Sequence, residues 1–501
     1  MGLHELKLPI QYANVCPKAG FGNWCLIVFI VALLIGAVAF TVFAAVTLSR
    51  RASGSGTDDY DDDVLGDGPD GGRGGGRGSG KGSVSNPPVV DVETMPPIAP
   101  SDVTTDAPSG PPSRAPTPPA EPLTVCTLVP GAEHMHFPAD GLCDYTFFDS
   151  LYVSPGANDF AFSTQGPDAQ RFVGQGLADT KTRYGMSVAL RDVVAFSNAY
   201  RSPNGRRYYE SYWIYNVFSW GFLHIDELEA EGKITDVGLA LETLKEMHQH
   251  ALATAGLKPG TFLGIFMRTN LSCTSLAEYL HTIFAPTGVI ILGHVSYGDY
   301  WRADCAIMPP INFVDPRAEK PGIGYGHRMR DAMLNMACLA NQGVQTSLYL
   351  SVTMQARRYK IKSTGKGQSL YYTDCGSGNY EQRTTAQEIC DDPNSGYSRN
   401  IYYASQYRSP ITYDDRDGYA ITFENAVSLR TKICNAWTPG AIALRVGLAV
   451  YDANYDRRTS KCDPRWINGS WSRFHFLMRL RDFLHQPLSS SPFVPECNRV
   501  T

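Results

Sequence analysis

Side chains of catalytic type occur in this sequence mostly at spacings that do not complete a reaction centre. His134-Met-His136 and His248-Gln-His250 each set two imidazoles one residue apart. Such pairs hold a metal only when acids or cysteines stand at fixed spacing beside them, and here they read as solvated surface. No other motif asks for a metal or an organic group, so no cofactor is expected. The stretch GHVSYG around Ser296 approaches the G-x-S-x-G elbow of acyl-transfer enzymes, yet His294 stands where the first glycine belongs. GGRGSGKG nearly spells a phosphate loop, but it ends in Gly82 where a magnesium-binding hydroxyl is required, and no strand precedes it. Asp414 and Asp415, in ITYDDRDG, read as a turn.

The elements around these residues alternate between strand-like and helical patterns, the signature of βα units on a parallel sheet. Candidate strands run Leu123–Leu128, Cys143–Phe148, Gly185–Leu190, Trp213–Ile225, Thr261–Met267, Gly288–Val295, Ser347–Met354 and Val446–Tyr451. Eight strands fit a (β/α)8 TIM barrel. Asp236 can cap a helix carrying Leu241, Leu244, Met247 and Ala251, stopped by Gly256 and Pro259. A second helix runs from His327 through Met329, Met333, Met336 and Leu339 to Gly343. Between the seventh strand and the helix near Phe423–Cys434 lies a tyrosine-rich segment too long for a loop. It predicts an inserted α+β subdomain at about 358–420.

The first 122 residues are of another kind. Trp24 to Leu48 is an uninterrupted 25-residue apolar run behind a 23-residue head. At ~1.5 Å per helical residue it spans roughly 37 Å, enough for a ~30 Å hydrocarbon core, and it exceeds the usual core of a cleaved signal peptide. The expectation is a cytoplasmic tail at 1–23 and an uncleaved signal anchor at 24–48. Residues 52–122 hold 13 Gly and 13 Pro, with 12 acidic against 4 basic side chains. Such a stretch cannot offset its ordering entropy and is expected to be a disordered stalk. The large domain, 123–490, is left close to neutral, which argues against a nucleic-acid partner despite GRGGGRG in the stalk.

Ten of the twelve cysteines lie beyond residue 123 with no C-x-x-C pair, which suits disulfides in an oxidising compartment. The sequons Asn270-Leu-Ser and Asn468-Gly-Ser agree with that placement. The expected topology is therefore a single-pass type II protein of the plasma membrane with its large domain outside the cell.

The stretches SLYLSVTMQARRYKIKS, TAQEIC, YAITFENAVSLRTKICNA and VGLAVYDANYDRRTSKC together resemble segments of the family-18 glycoside hydrolases, the chitinases and chitinase-like lectins. SLYLSVTMQARRYKIKS is similar to that family's seventh strand, and TAQEIC with YAITFENAVSLRTKICNA to its insertion and last helix. VGLAVYDANYDRRTSKC and GSWSRFHFLMRLRDFL resemble its eighth strand and closing helix, while VCTLVPG and GLCDYTFFDSLYV resemble its first two strands. The resemblance implies disulfides Cys126–Cys143 and Cys390–Cys462. It also implies a D-x-x-D-x-D-x-E motif at the end of the fourth strand, here SWGFLHIDELEAEG. With Gly221 in the motif's glycine place, Trp220, Leu223 and Ile225 stand where the aspartates belong, and Glu227 holds the acid position alone. Sliding by one offers His224 and Asp226 but sets Leu228 at the acid. The family's sixth-strand M-x-Y-D falls on Val295-Ser-Tyr297-Gly298, with Asp299 as a substitute aspartate, and its eighth-strand tryptophan corresponds to Tyr451.

The sequence thus favours an extracellular chitinase-like domain that binds a chitin-like or other N-acetylhexosamine glycan, with Tyr297, Asp299 and Tyr451 as contacts, and does not cleave it. Two readings stand beside this one. One is a glycoside hydrolase using Asp226 and Glu227 in displaced geometry; the other is a scaffold that contacts another extracellular protein.

Overall fold

Eight short apolar runs pair side by side and in parallel. The structure, a computed structural model, describes residues 123–129, 135–149, 167–225, 234–267, 270–295, 305–321, 327–362, 369–376, 381–437, 446–456, 471–485 and 493–500. The apolar run 24–48, the stretch 52–122 and residues Asp226, Glu227, Tyr297, Asp299, Cys462 and Asn468 lie outside them. Among the described residues no helix is long and apolar enough to cross a membrane.

Strands β1 (Thr124–Leu128), β2 (Tyr145–Phe148), β3 (Arg183–Ser187), β4 (Val217–Ile225), β5 (Thr261–Ile265), β6 (Gly288–Ile291) and β7 (Ser347–Thr353) follow in chain order. The insertion supplies β8 (Ala356–Lys360), β9 (Glu381–Thr384), β10 (Tyr402–Ala404), β11 (Ser409–Asp414) and β12 (Tyr419–Thr422), and β13 (Gly447–Tyr451) comes last. β1 to β7 pair in sequence, and β13 closes the ring between β7 and β1. This is the (β/α)8 barrel. Strands buried on both faces read as unbroken apolar runs, which is why all eight show in the sequence.

Two strand boundaries differ from expectation for local reasons. The segment Trp213–Tyr215 forms a 3-10 turn closed by Asn216 in the left-handed region at φ 61°, so β4 begins at Val217. β3 ends at Ser187, and Leu190 opens the next 3-10 turn. The helix expected to be capped by Asp236 spans Ile234–Ala255, with Asp236 inside its first turn, where a carboxylate suits the N-terminal dipole. Gly256 ends it at φ +65°. Its buried face carries Val237, Leu241, Leu244, Met247 and Ala251.

Inside the barrel, Phe262 is the hub, with Tyr145, Phe147 and Tyr349 meeting it edge-on at 5.0, 5.4 and 5.7 Å between ring centroids. These large rings fit because facing positions are glycine. A Cβ on Gly288 would stand 2.4 Å from the Tyr349 ring.

The insertion folds as an antiparallel sheet in the order β10-β11-β12-β8-β9, with one short helix, Gly396–Arg399, packed on it. Its strands begin at Ala356 and end at Thr422, slightly wider than 358–420. A buried ion pair marks its return to the barrel. Lys432 Nζ meets Glu424 Oε1 at 2.5 Å and donates to the Ile311 carbonyl at 2.8 Å, with both side chains wholly inaccessible.

Disulfides join Cys126–Cys143, Cys273–Cys338, Cys305–Cys375 and Cys434–Cys497. Cys390 is also disulfide-bonded, and Cys462 lies outside the described residues. The bridge to Cys497 ties back a short helix, Phe493–Cys497, that lies past residue 490.

Candidate functional site

In a barrel of this kind the groups at the C-terminal ends of the strands converge on one mouth. Here they are imidazoles. Asp149, the residue after β2, is fully buried and accepts from Ser187 Oγ of β3 at 2.9 Å. Its second oxygen meets His224 Nε2 of β4. His224 reaches the interior because β4 carries one extra residue there. Phe222 pairs with Leu263 but Ile225 with Ile265, a bulge that turns both Leu223 and His224 inward.

Tyr451, the last residue of β13, forms the floor. Its hydroxyl donates to the Leu223 carbonyl at 2.7 Å, a close approach possible because Gly264 has no side chain: a Cβ there would lie 2.6 Å from the Tyr451 oxygen. The ring meets His224 edge-on at 5.1 Å and lies 4.5 Å from the ring of His294. Burial pushes the Tyr451 hydroxyl well above its ordinary pKa, with Asp149 and Asp452 adding to the effect.

His294 lies three residues beyond the end of β6. Its Nδ1 is 2.7 Å from Ser351 Oγ of β7, which also accepts from the Gly293 N–H at 2.8 Å. Burial holds this imidazole well below its ordinary pKa, and His224, His327 and Arg357 reinforce the shift, so the ring is neutral near pH 7. His327 lies against Phe266 with centroids 3.7 Å apart, and Arg357 donates to the Val295 carbonyl at 3.0 Å. On the far side of the floor, Thr353 Oγ1 donates to Asp452 at 2.6 Å. The arrangement offers hydrogen-bond donors and acceptors around a buried aromatic floor, with one imidazole–carboxylate pair suited to moving a proton.

Of the residues singled out by sequence, Tyr451 joins this group, while Asp226, Glu227, Tyr297 and Asp299 lie outside the described residues. Tyr451 is buried within the barrel, so the described residues leave none of its surface open for stacking. At the places the family motif gives to aspartates, Trp220 points out into the helix layer against Phe196 and Tyr209, Leu223 points into the barrel, and Ile225 is buried. The pair His248 and His250 diverges: the first packs by Phe284 and the second meets Glu210 at 2.7 Å. Among the described residues no group of three or more His, Cys, Asp or Glu could hold a metal ion. Asp414 accepts from the backbone N–H groups of Gly396 and Arg416, which hold its carboxyl below the usual range in a hairpin turn. The sequence alone does not single out Asp149, Ser187, His327, Ser351 or Arg357. For Asp149 and Ser187 the one signal is position, at or just beyond a strand's C-terminal end, while Ser351 lies within β7, Arg357 at the start of β8 and His327 just before the helix Met329–Asn341.

No protein-family model matches the sequence, and no curated protein matches it. Among solved structures, the chain is similar to a class V chitinase from Nicotiana tobaccum, at 15% identity over 67% of this chain and 95% of that one, with a TM-score of 0.45. It is similar to a family GH18 chitinase from Cycas revoluta, at 13% identity over 66% and 97%, with a TM-score of 0.42. A chitinase-like agglutinin from Robinia pseudoacacia matches at 12% identity over 70% and 97%, with a TM-score of 0.44.

Proposed function

We propose that this chain is a membrane-anchored, extracellular chitinase-like protein whose barrel mouth binds a glycan of the N-acetylhexosamine class without cleaving it. One observation on β4 carries the reading. The three places where the resembling family sets aspartates hold Trp220, Leu223 and Ile225, none of which ionises. Cleavage in that family needs a glutamic acid to protonate the leaving oxygen and an aspartate to hold the acetamide as it attacks. A lone acid contributes about 10²–10⁴-fold, far below the acceleration that glycoside cleavage requires. What supports a binding role is the set of hydrogen-bonding side chains gathered at the strand ends, Asp149, Ser187, His224 and His294, the polar part of a sugar site.

The anchor reading is supported by the 25-residue apolar run, and the extracellular reading by nine described cysteines all in disulfides. The test uses the full-length chain on a fluorogenic chito-oligosaccharide and on a glycan array. No turnover together with array binding is the expected result. Turnover that disappears in Glu227→Gln would overturn the non-hydrolytic reading, and a blank array would overturn the glycan.

A further inference from the structure

Near the N-terminal end of β4, away from the mouth, the outer wall of the barrel carries an aromatic hollow. The 3-10 turn Trp213–Tyr215 leads into the strand there, beside the helices Val193–Arg201, Pro203–Glu210 and Ile234–Ala255. Tyr200, Tyr209, Trp213, Phe218 and Trp220 line an open space of about 230 Å³, with Met247 and Ala251 on its helical side. Trp213 and Phe218 are only half-buried, which leaves the hollow open to solvent. Its closed end has room for one water-sized group. A sugar ring or an aromatic side chain exceeds that space, whereas the methyl end of an aliphatic side chain fits it.

The rim is apolar as well. Of the six large hydrophobic side chains exposed among the described residues, Leu177, Ile214 and Leu252 gather here, at 60, 71 and 45% exposure. Ile214 follows Trp213 in the turn, and Leu252 follows Ala251 on the long helix. Leu177 follows Gly176, whose added Cβ would stand 2.6 Å from the Tyr215 carbonyl oxygen. The Trp213 ring lies 5.8 Å from that of His250, which ties the turn to the long helix. Hydrophobics scattered singly over a surface need no partner, but a group of them around a hollow marks an interaction site. Trp, Tyr and Arg side chains in a central pocket are also what carries most of the energy of protein interfaces.

Charge narrows the partner. Glu210 Oε1 meets His250 Nε2 at 2.7 Å, and Glu246 is held by Nε and Nη2 of Arg201 at 3.0 and 2.7 Å. Arg206 lines the same hollow, its guanidinium 5.8 Å from the Tyr200 ring centre, and the next residue, Arg207, is exposed. Neither arginine makes an ion pair among the described residues. Tyr200 adds a buried hydroxyl without a hydrogen-bond partner. The local acids are thus engaged and two cations are not, so the complementary surface carries a carboxylate beside its apolar anchor.

We propose that this face binds a protein partner through a peptide segment in which an aliphatic side chain enters the hollow and a neighbouring aspartate or glutamate meets Arg206. The site is separate from the barrel mouth and takes a ligand of another class.

The full-length chain is panned with a phage-displayed library of random dodecapeptides, and an enriched peptide is then titrated calorimetrically. Enriched sequences should share Leu, Ile or Met within a residue or two of Asp or Glu. Converting that acid to its amide should weaken binding about tenfold or more, the range of one hydrogen bond to a charged group. Ile214→Asp should weaken it about tenfold or more, the worth of one buried aliphatic side chain. Arg206→Gln should erase the preference for acid over amide. Both side chains are exposed, and a cooperative thermal melt checks that each variant folds; should one fail, the other decides. No enrichment, enriched sequences without an acid, or undiminished binding to Ile214→Asp would overturn the proposal. A glycan on the array whose binding Ile214→Asp abolishes would assign the hollow to carbohydrate and overturn the peptide.

Discussion

Acid should destabilise this protein partly through His294, and His294→Phe should remove that share. The imidazole is wholly buried and held neutral, below its ordinary value of 6.5, first by burial and then by His224, His327 and Arg357. In the unfolded chain the same ring takes up a proton as the pH falls through 6.5. The unfolded state then binds more protons than the folded one, so stability rises with pH across this window and is lost as pH falls. The slope for one group is about 1.4 kcal/mol per pH unit, so descending from 6.5 to 5 removes about 2 kcal/mol. The variant loses this slope but acquires a fixed cost. Ser351 Oγ loses its hydrogen bond with Nδ1, which costs about 1–3 kcal/mol at every pH. Because the folded ring carries no charge, its removal leaves the field at His224, His327 and Arg357 unaltered. The difference between the two proteins thus isolates one titration. Urea melts at pH 8, 6.5 and 5 would show the two stabilities converging as the pH drops. Parallel curves, with the gap constant from pH 8 to 5, would refute the buried neutral imidazole.

Lys432→Met should cost about 3–5 kcal/mol, because it strands the inaccessible Glu424 carboxylate without its cation, and adding Glu424→Leu should restore most of the loss; denaturant midpoints that rank the double variant below the single would contradict this. Protease added to intact cells expressing the full chain should digest the large domain, whereas complete protection would reverse the proposed topology. Non-reducing peptide mapping should recover Cys390 joined to Cys462, closing a loop of roughly 70 residues worth about 4 kcal/mol in the chain-entropy model, and a free thiol at either position would defeat the pairing.

The barrel was legible because its strands are buried on both faces. LTVCTL, TFLGIFM and VGLAVY admit no partly solvated reading, so existence and order follow from the sequence, while boundaries move where one residue's backbone intervenes. Asn216 is the example. Its left-handed backbone ends the 3-10 turn, so an apolar run beginning at Trp213 becomes a strand only at Val217. The six cysteines whose partners the sequence leaves open behave differently. Cys273 and Cys338 sit 65 residues apart on the helices Asn270–Thr282 and Met329–Asn341, and only the packing of those helices brings them together. Spacing carries no trace of that.

The site was harder to read, and β4 supplies the reason. In a motif written D-x-x-D-x-D-x-E the last three acids stand two residues apart, which presumes strict alternation over that stretch, so that every second side chain faces the barrel. Up to Leu223 the rule holds: a Cβ on Gly221 would touch the Leu223 side chain on the inner face. The bulge between Phe222 and Ile225 then inserts one residue, and His224 faces inward as well. Both ways of laying the motif on SWGFLHIDELEAEG are therefore partly realised, one placing Leu223 inside and the other His224. Counting from Gly221 cannot carry a face past the bulge, so no acid can be assigned by register alone. What the bulge does position is an imidazole against Asp149, the residue after β2 and 75 positions earlier. The described end of β4 thus places an imidazole at the barrel mouth, and the carboxylate it meets comes from the residue after β2.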